Sequence, residues 1–398
     1  MHSNFRKRHQ DFPLKRLILT LLLIPVLLLG FDEGRPGLSH TGPVKNLDVK
    51  PSDAVEQNLS DIVADVEYIQ LQLPKGEYIG EIQKVIFNES SIVVLDIIPG
   101  GGSYKIFCFD QSGKFRFVID KQGRGPEEYQ LIYDFDVCDE FIVISAYDKL
   151  MYYDLHSGAY IKQFDKPDFF SIQMIGMLEP NVVLSDEGRY KSNTSKKQVK
   201  IIDLEKGELI FETLPFSAHS LKIGHTYRYM YRYKDSYSVI PMYKPAIYRV
   251  TGEADSFSVD PAYHFNFGKY WIDEDILANS YNDRPAFFAS KREYVNTIEI
   301  FETEYLIYAC YKLQTEDYIY IYDKKTGQDL NISGFTRNNI GWMGKPIGTM
   351  GNSIVNSIAR WEAEGPDIEP GKELKSILDN ASDEGHPVLV KTRFKIID

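Results

Sequence analysis

A glycine-rich stretch, "DKQGRGPEEYQ" at residues 120–130, has the composition of a loop that could hold a phosphate. A P-loop ends in lysine followed by serine or threonine, and a dinucleotide-binding loop carries a third glycine. Gly123-Arg124-Gly125-Pro126 has neither feature. We therefore predict a connection between strands, with both glycines at positive φ and Arg124 free to contact a ligand.

Tyrosine is followed directly by lysine at several places, a pairing that suits the binding of sugars or anions. Tyrosine offers a flat aromatic face and a hydroxyl, and lysine offers a mobile cation. The alternative is that each lysine begins a strand in solvent while the tyrosine packs inside. The candidate ligand-binding residues are Arg124, Glu128, Tyr129, Tyr104, Lys105, Tyr190, Lys191, Tyr243, Lys244, Tyr311 and Lys312.

The segment 225–243, "HTYRYMYRYKDSYSVIPMY", alternates tyrosines with basic residues at the period of a strand. One face of such a strand is aromatic and the other is basic. The aromatic face could stack on sugar rings, or it could belong to the core while the basic face is solvated. The second interpretation is favoured.

Catalytic patterns are sparse. His219, His225 and His264 are the candidates for a metal-assisted lyase, but their spacing is not that of a metal site. The three cysteines are far apart and contain no CxxC pair, which predicts free thiols. The sequence therefore predicts no catalytic residue, no metal and no cofactor. A lyase or glycoside-active enzyme remains the alternative to a binding protein.

The N-terminus carries basic residues and then the apolar run "LILTLLLIPVLLLGF" at 17–31, as export signals do. The run is short for a membrane span. We predict a signal peptide or N-terminal membrane anchor over residues 1–31 and a linker over 32–58. The protein would then be periplasmic or otherwise associated with the cell envelope, touching the membrane only through this segment. The net charge of −12 argues against a nucleic-acid partner.

The elements that position the candidate residues come from a repeat. "KIFCFDQSGKFRFVI" (105–119) has an apolar alternating strand, an Asp-x-x-Gly turn and a second strand. A similar strand, aspartate–glycine turn and strand, with one residue more between the aspartate and the glycine, recurs in 150–164, 199–213 and 318–332, and a degenerate form occurs in 246–260. Asp-x-x-Gly between such strands predicts a tight hairpin. A strand repeat of 40–50 residues is typical of a β-propeller with one four-stranded antiparallel blade per repeat.

Ring closure completes the predicted fold. Strands at 65–73 and 386–397, together with 339–359, supply a sixth blade, while 270–294 and 366–381 are short helical insertions. The fold class is therefore all-β, a six-bladed β-propeller over 59–398 closed by its N- and C-terminal strands. Its Asp-x-x-Gly hairpins lie on one face. The crossovers between blades, including 120–130, share the other face with the loops between the second and third strands.

The chain also resembles exported bacterial six-bladed β-propellers of the NHL-like and TolB-like type. The stretches that carry this resemblance include "LSDIVADVEYIQLQ", "KIFCFDQSGKFRFVIDKQGRGPEEY", "YIYIYDKKTG" and "PVLVKTRF". The resemblance implies an envelope location and supplies no catalytic residue. We expect a non-catalytic propeller that binds a carbohydrate, a peptide or an envelope protein at its central mouth.

Overall fold

A computed structural model provides the structure of the chain. It describes residues 43–98, 102–166, 174–186, 197–216, 230–253 (except 242), 256–272, 275–276, 285, 289, 292–336, 345–358, 371–380 and 386–395. They belong to the unit that spans residues 37–398. The predicted signal or anchor segment, residues 1–31, lies outside the described residues.

The strands follow one another as antiparallel blades around a ring, as predicted. Three strands precede the first complete blade, namely β1 (Lys45–Asp48), β2 (Val55–Asn58) and β3 (Val63–Gln70). Blade 1 contains β4 (Ile82–Phe87), β5 (Ile92–Ile98), β6 (Ser103–Phe109) and β7 (Phe115–Ile119). Blade 2 contains β8 (Ile132–Cys138), β9 (Phe141–Ala146), β10 (Lys149–Asp154) and β11 (Tyr160–Asp165).

The remaining blades repeat this plan. Blade 3 contains β12 (Met174–Glu179), β13 (Val182–Asp186), β14 (Lys197–Asp203) and β15 (Glu208–Pro215). Blade 4 contains β16 (Met230–Tyr233), β17 (Ser236–Val239), β18 (Ala246–Thr251) and β19 (Ser258–Asn266). Blade 5 contains β20 (Ile298–Glu302), β21 (Leu306–Leu313), β22 (Glu316–Asp323) and β23 (Asp329–Thr336). Blade 6 contains β24 (Lys345–Met350), β25 (Ser353–Ile358), β26 (Val388–Phe394) and β3.

The Asp-x-x-Gly pattern forms the predicted hairpins. In blade 1, Asp110 Oδ1 accepts hydrogen bonds from the backbone N–H groups of Ser112 and Lys114. Gly113 has φ +83°, a conformation that glycine adopts without steric cost. In blades 2, 3 and 5 the turn has one residue more, Asp-x-x-x-Gly, and Asp154, Asp203 and Asp323 accept hydrogen bonds from the backbone N–H groups two and three residues later.

The ring closes in blade 6, as predicted from the head and tail of the sequence. Strand β26 lies between β25 and β3, so that Val390 is opposite both Asn356 and Tyr68. Residues from the start of the chain therefore supply the outermost strand of the last blade. This pairing joins the two ends of the propeller without a covalent link.

The propeller begins earlier than the predicted linker allows. Strand β1 pairs in parallel with β19 of blade 4, and β2 pairs in parallel with β23 of blade 5. Leu47 and Val49 are buried in the core between these blades. Residues 45–58 thus cover the outer edges of blades 4 and 5 before the chain reaches β3. The burial of Leu47 and Val49 stabilises this segment against the blades.

Two helices among the described residues are α1 (Leu59–Ile62), just before β3, and α2 (Lys372–Asn380), within the predicted insertion 366–381. Leu374 and Leu378 of α2 pack against Val388 and Val390 of β26. The other predicted insertion, 270–294, lies mostly outside the described residues. None of the helices that the structure describes is both long and apolar enough to cross a membrane.

Candidate functional site

The first strand of each blade lines the central axis, and a cavity of about 290 Å³ lies there. We call the face with the Asp-x-x-Gly hairpins the turn face and the opposite one the crossover face. The cavity is lined by the later residues of the inner strands, such as Phe87 and Glu302, and by the turn residues Lys234 and Gly351. It therefore lies towards the turn face. The predicted ligand-binding residues of the crossover 120–130 belong to the opposite end of the axis.

A buried ion pair joins blades 1 and 2 at the cavity. Lys84 Nζ lies 2.8 Å from Asp134 Oδ1 and also donates to the carbonyl of Phe135 at 2.7 Å. The second oxygen of Asp134 accepts the backbone N–H of Ile175 in blade 3 at 2.9 Å. Burial raises the pKa of Asp134 despite the opposing charge of Lys84.

Asp136, two residues further along β8, makes the same kind of contact with blade 3. Its Oδ2 accepts the backbone N–H of Met177 at 2.6 Å and the hydroxyl hydrogen of Tyr237. The inner strand β12 is a sheet edge with unpaired N–H groups, and both aspartates of β8 satisfy such groups. These carboxylates therefore fix the position of blade 3 against blade 2.

Arg232 extends this network into the cavity. One of its terminal nitrogens donates to the hydroxyl of Tyr237 at 2.6 Å and to the carbonyls of Val137 and Met177 at 3.2 and 3.4 Å. The same nitrogen lies 3.8 Å from Asp136 Oδ2. Burial opposes the charge, but Tyr237 and Asp136 outweigh it and raise the pKa of Arg232.

A second cluster lies between blades 4 and 5. Glu302 is fully buried and forms ion pairs with Arg249 and Lys324. Tyr231 donates its hydroxyl hydrogen to Glu302 Oε2 at 2.7 Å. The ring of Tyr233 lies beneath both cations, with Arg249 at 4.1 Å and Lys324 at 4.3 Å from its centroid.

Opposing effects set the charge of this cluster. Burial acts to raise the pKa of Glu302, but the hydrogen bonds and charges of Arg249 and Lys324 outweigh it and lower that pKa. Burial lowers the pKa of Lys324, since the attraction of Glu302 only partly offsets it and the charges of Arg249 and Lys234 add to it. Glu302 is thus the anion that holds two cations together.

The segment 225–243 enters this site in part. Its residues 225–229 and 242 lie outside the described residues. In β16, Tyr231 packs against the core between blades 4 and 5, which agrees with the favoured interpretation of an aromatic core face, whereas Tyr233 lies against Arg249 and Lys324. The opposite, basic face is not simply solvated, because Arg232 joins blades 2, 3 and 4.

Close packing explains the glycines of the crossover 120–130. Neither Gly123 nor Gly125 has positive φ, so that prediction is wrong. A Cβ at Gly123 would instead lie 2.0 Å from Glu128 Oε2, which accepts the backbone N–H of Gly125 at 2.7 Å. Arg124 is exposed. Tyr129 is 0% exposed, and its hydroxyl donates to the carbonyls of Tyr104 and Ile119.

The Tyr-Lys pairs lie in different environments. Lys105 forms ion pairs with Glu77 and Asp120, at 3.0 and 3.1 Å. Tyr243 and Tyr311 are buried, and Tyr311 donates its hydroxyl hydrogen to Asn331. Tyr104 and Lys244 are half-buried, Lys312 is exposed near Asp317, and the pair Tyr190–Lys191 lies outside the described residues.

The histidine candidates are only partly described. His264 is half-buried in β19, and its part of the structure contains no group of three or more possible metal ligands. His219 and His225 lie outside the described residues. Cys108, Cys138 and Cys310 are free thiols. Burial raises the pKa of Cys108 to about 11 and that of Cys138 to about 12, so both thiols are protonated at neutral pH.

Sequence reasoning did not single out the cavity residues Lys84, Asp136 and Glu302, nor Asp134, which pairs with Lys84. A weak signal exists in "IYDFDVC" (132–138), where two aspartates alternate with large apolar residues. This pattern normally indicates a solvent-facing side of a strand. Both aspartates are in fact buried.

Solved structures to which the chain is similar include the crystal structure of a "Putative exported protein" from Bacteroides fragilis. It has 20% identity and a TM-score of 0.74, and the match covers 88% of this chain and 100% of that chain. BamB from Moraxella catarrhalis matches with 10% identity and a TM-score of 0.31, covering 84% of this chain and 99% of that one. The WD40 domain of Toxoplasma gondii coronin matches with 10% identity and a TM-score of 0.37, covering 86% and 89%. The first likeness supports the propeller fold.

The comparison with curated proteins gives no match. The family described as "Domain of unknown function (DUF4934)" matches residues 44–393, a range that begins just before β1 and ends within β26. That range takes in every blade of the propeller, and the chain therefore belongs to the DUF4934 family.

Proposed function

We propose that this protein is a non-catalytic propeller of the cell envelope that binds a ligand in its axial cavity. The observation that carries the proposal is a concave space of about 290 Å³ with apolar walls and a few convergent charged groups. Small-molecule sites have this character, and a volume near the lower end of their range suits a small ligand or the end group of a larger one. A glycan, a peptide or a partner protein could present such a group.

Two observations support an envelope location. The apolar run at residues 17–31 follows a basic segment, as in export signals. The structurally similar Bacteroides fragilis protein is described as exported. A periplasmic location and kinship with NHL-like and TolB-like propellers remain predictions, which fractionation and further sequence comparison can test.

The cavity carries the proposal better than the crossover-face residues do. Tyr129, Tyr243 and Tyr311 are buried, which leaves them little surface for a ligand. Arg124 and Lys312 are exposed and remain candidates for a contact at the opposite mouth.

The test is a thermal-shift and direct-binding screen of the purified protein against glycans, peptides and small metabolites. Each hit is repeated on Thr349→Trp, which fills the cavity that Thr349 lines, and on the double variant Arg124→Ala/Lys312→Ala at the other mouth. We expect Thr349→Trp to abolish binding and the double variant to retain it. The reverse result would place the site on the crossover face and overturn the proposal.

Metal analysis of the same preparation tests the enzyme alternative. A stoichiometric metal that is lost on changing His219 or His225 to alanine would favour a metal-assisted enzyme. Metal-free protein that still binds its ligand would support a binding function.

A further inference from the structure

We infer that the axial cavity binds a small carboxylate with an apolar body, and that Arg232 and Lys234 hold its carboxylate. This inference rests on the proposed function of the cavity and adds the chemical class of the ligand. The carboxylates at the cavity have partners within the protein, whereas two cations there keep donors that no described carboxylate neutralises.

The carboxylates at the cavity are satisfied by the protein. Glu302 is paired with Arg249 and Lys324 and accepts a hydrogen bond from Tyr231. Asp136 accepts hydrogen bonds from a backbone N–H and from a tyrosine hydroxyl. A cationic ligand would therefore have to compete with internal partners for both anions.

Arg232 is satisfied on one side only. Its hydrogen bonds to Tyr237, Val137 and Met177 all use a single terminal nitrogen. The other guanidinium N–H groups make no hydrogen bond to a described residue, and the side chain is 47% exposed where it lines the cavity. An anchored guanidinium with a free edge is arranged to bind a carboxylate through two parallel hydrogen bonds.

Lys234 provides a second cation beside it. It occupies the turn between β16 and β17, with φ +54°, and lines the same cavity. No carboxylate of the described residues forms an ion pair with it; its ammonium lies 5.6 Å from the ring centroid of Tyr233. Arg232 and Lys234 together thus leave the cavity with more positive charge than its carboxylates neutralise, in a chain whose net charge is −12.

Apolar side chains from five blades form much of the remaining wall. Val85, Ile175, Met230, Ile300 and Ile347 line the cavity from blades 1, 3, 4, 5 and 6. Apolar groups surrounding a site on several sides favour a ligand body that loses little by leaving water.

The experiment uses isothermal titration calorimetry with benzoate, its uncharged analogue benzamide, and glucuronate, which carries a carboxylate on a polar body. We expect benzoate to bind and benzamide to bind at least about tenfold more weakly, because the charge-assisted hydrogen bonds are lost. Glucuronate should also be weaker than benzoate. Equal binding of benzoate and benzamide, or no binding of benzoate, would overturn the inference, and tighter binding of glucuronate would overturn the apolar body.

Variants locate the carboxylate. Arg232→Lys keeps the charge but removes the paired donors, so benzoate should bind about tenfold more weakly. Lys234→Met should weaken binding to a smaller extent, and Lys312→Met, at an exposed lysine on the crossover face, should leave it unchanged. Unchanged binding in both cavity variants would contradict the inference, while melting temperatures check that each variant is folded.

Failure of this inference and failure of the proposed function give different results. A neutral ligand that binds the wild-type protein and is excluded by Thr349→Trp would refute the carboxylate and leave the cavity as the site. Ligands that Thr349→Trp does not affect would refute the cavity itself.

Discussion

Tyr237 of blade 4 donates its hydroxyl hydrogen to Asp136 of blade 2, a residue 101 positions earlier in the chain. The hydroxyl also lies 3.2 Å from the carbonyl of Met177 in blade 3. Burial raises the pKa of Tyr237, and the charge of Asp136 raises it further, so the hydroxyl remains a donor at neutral pH. One side chain thus links three consecutive blades at the edge of the cavity.

Changing Tyr237 to Phe should lower the free energy of unfolding by about 2 kcal/mol, because a buried carboxylate loses a hydrogen bond. Tyr248→Phe is the matched control, since Tyr248 is half-buried in the same blade and has no hydrogen bond from its hydroxyl to a described residue. Urea denaturation of both variants measures the difference. Equal losses of unfolding free energy in the two variants would show that the hydrogen bonds of the Tyr237 hydroxyl do not stabilise the fold.

Glu302→Gln should lower the free energy of unfolding more than Tyr237→Phe does. The substitution removes the buried negative charge between Arg249 and Lys324 and leaves two buried cations with weaker compensation. We expect a loss of about 3–5 kcal/mol, as for other broken buried ion pairs. Glu67→Gln removes an exposed partner of Lys391 and should cost no more than about 1 kcal/mol. Similar losses in the two variants would contradict the stabilising role of the buried cluster.

The pH dependence of stability gives a second test of Glu302. Its pKa is lower in the folded protein than the ordinary value of 4.5, so its charge stabilises the fold fully above that value. This contribution is lost as the pH falls through the folded-state pKa, when the carboxylate is protonated. The stability difference between wild-type protein and Glu302→Gln should therefore narrow as denaturation is repeated from about pH 7 down to about pH 3. A constant difference would mean that Glu302 is not ionised in the fold.

The blades could be predicted from sequence because their determinants are local. Asp110 and Gly113 encode a hairpin through contacts within five residues, and the repeat of that hairpin gives the period of a blade. Ring closure followed from the same logic, since strands at the two ends lacked partners in any complete repeat. The alternation of apolar residues then assigns each strand to the core.

The cavity could not be predicted because its contacts are distant in sequence. Asp134 and Asp136 have the spacing of a solvated strand face, and only the position of blade 3 shows that they accept backbone N–H groups. Strand β1 was missed for a related reason, since Leu47 and Val49 lie in a segment whose glycines, prolines and charges indicate a linker. Their partners in β19 come more than 200 residues later.

The crossover 120–130 allows a prediction that corrects the one made from residue type. Gly123→Ala should destabilise the fold by about 1–2 kcal/mol, because the new methyl group displaces the Glu128 carboxylate from the N–H of Gly125. In a Glu128→Ala background, Gly123→Ala should lower the stability of the fold only slightly, because no carboxylate remains to be displaced. Arg124→Ala should alter stability by no more than about 0.5 kcal/mol. A double-mutant cycle with additive losses would show that Gly123 is required for another reason.

Gly113 and Gly207 each lie in the turn between the third and fourth strands of a blade, at positive φ of +83° and +66°. The turn of blade 1 is Asp-x-x-Gly, and that of blade 3 has one residue more between the aspartate and the glycine. A Cβ at Gly207 meets nothing within 4 Å, whereas one at Gly113 would lie 2.2 Å from the carbonyl oxygen of Gln70, at the end of β3. Gly207→Ala should therefore cost only the backbone strain, about 1 kcal/mol.

Gly113→Ala should cost about 1–3 kcal/mol more than Gly207→Ala, because the backbone of the closing strand must move to accept the methyl group. The carbonyl of Gly113 also accepts the N–H of Gln72 at 2.8 Å, so this movement disturbs the contact between blade 6 and blade 1. Chemical denaturation measures both losses, and hydrogen exchange of the β3 amides should be faster in Gly113→Ala alone. Equal losses, with unchanged exchange in β3, would mean that the turn of blade 1 does not support ring closure.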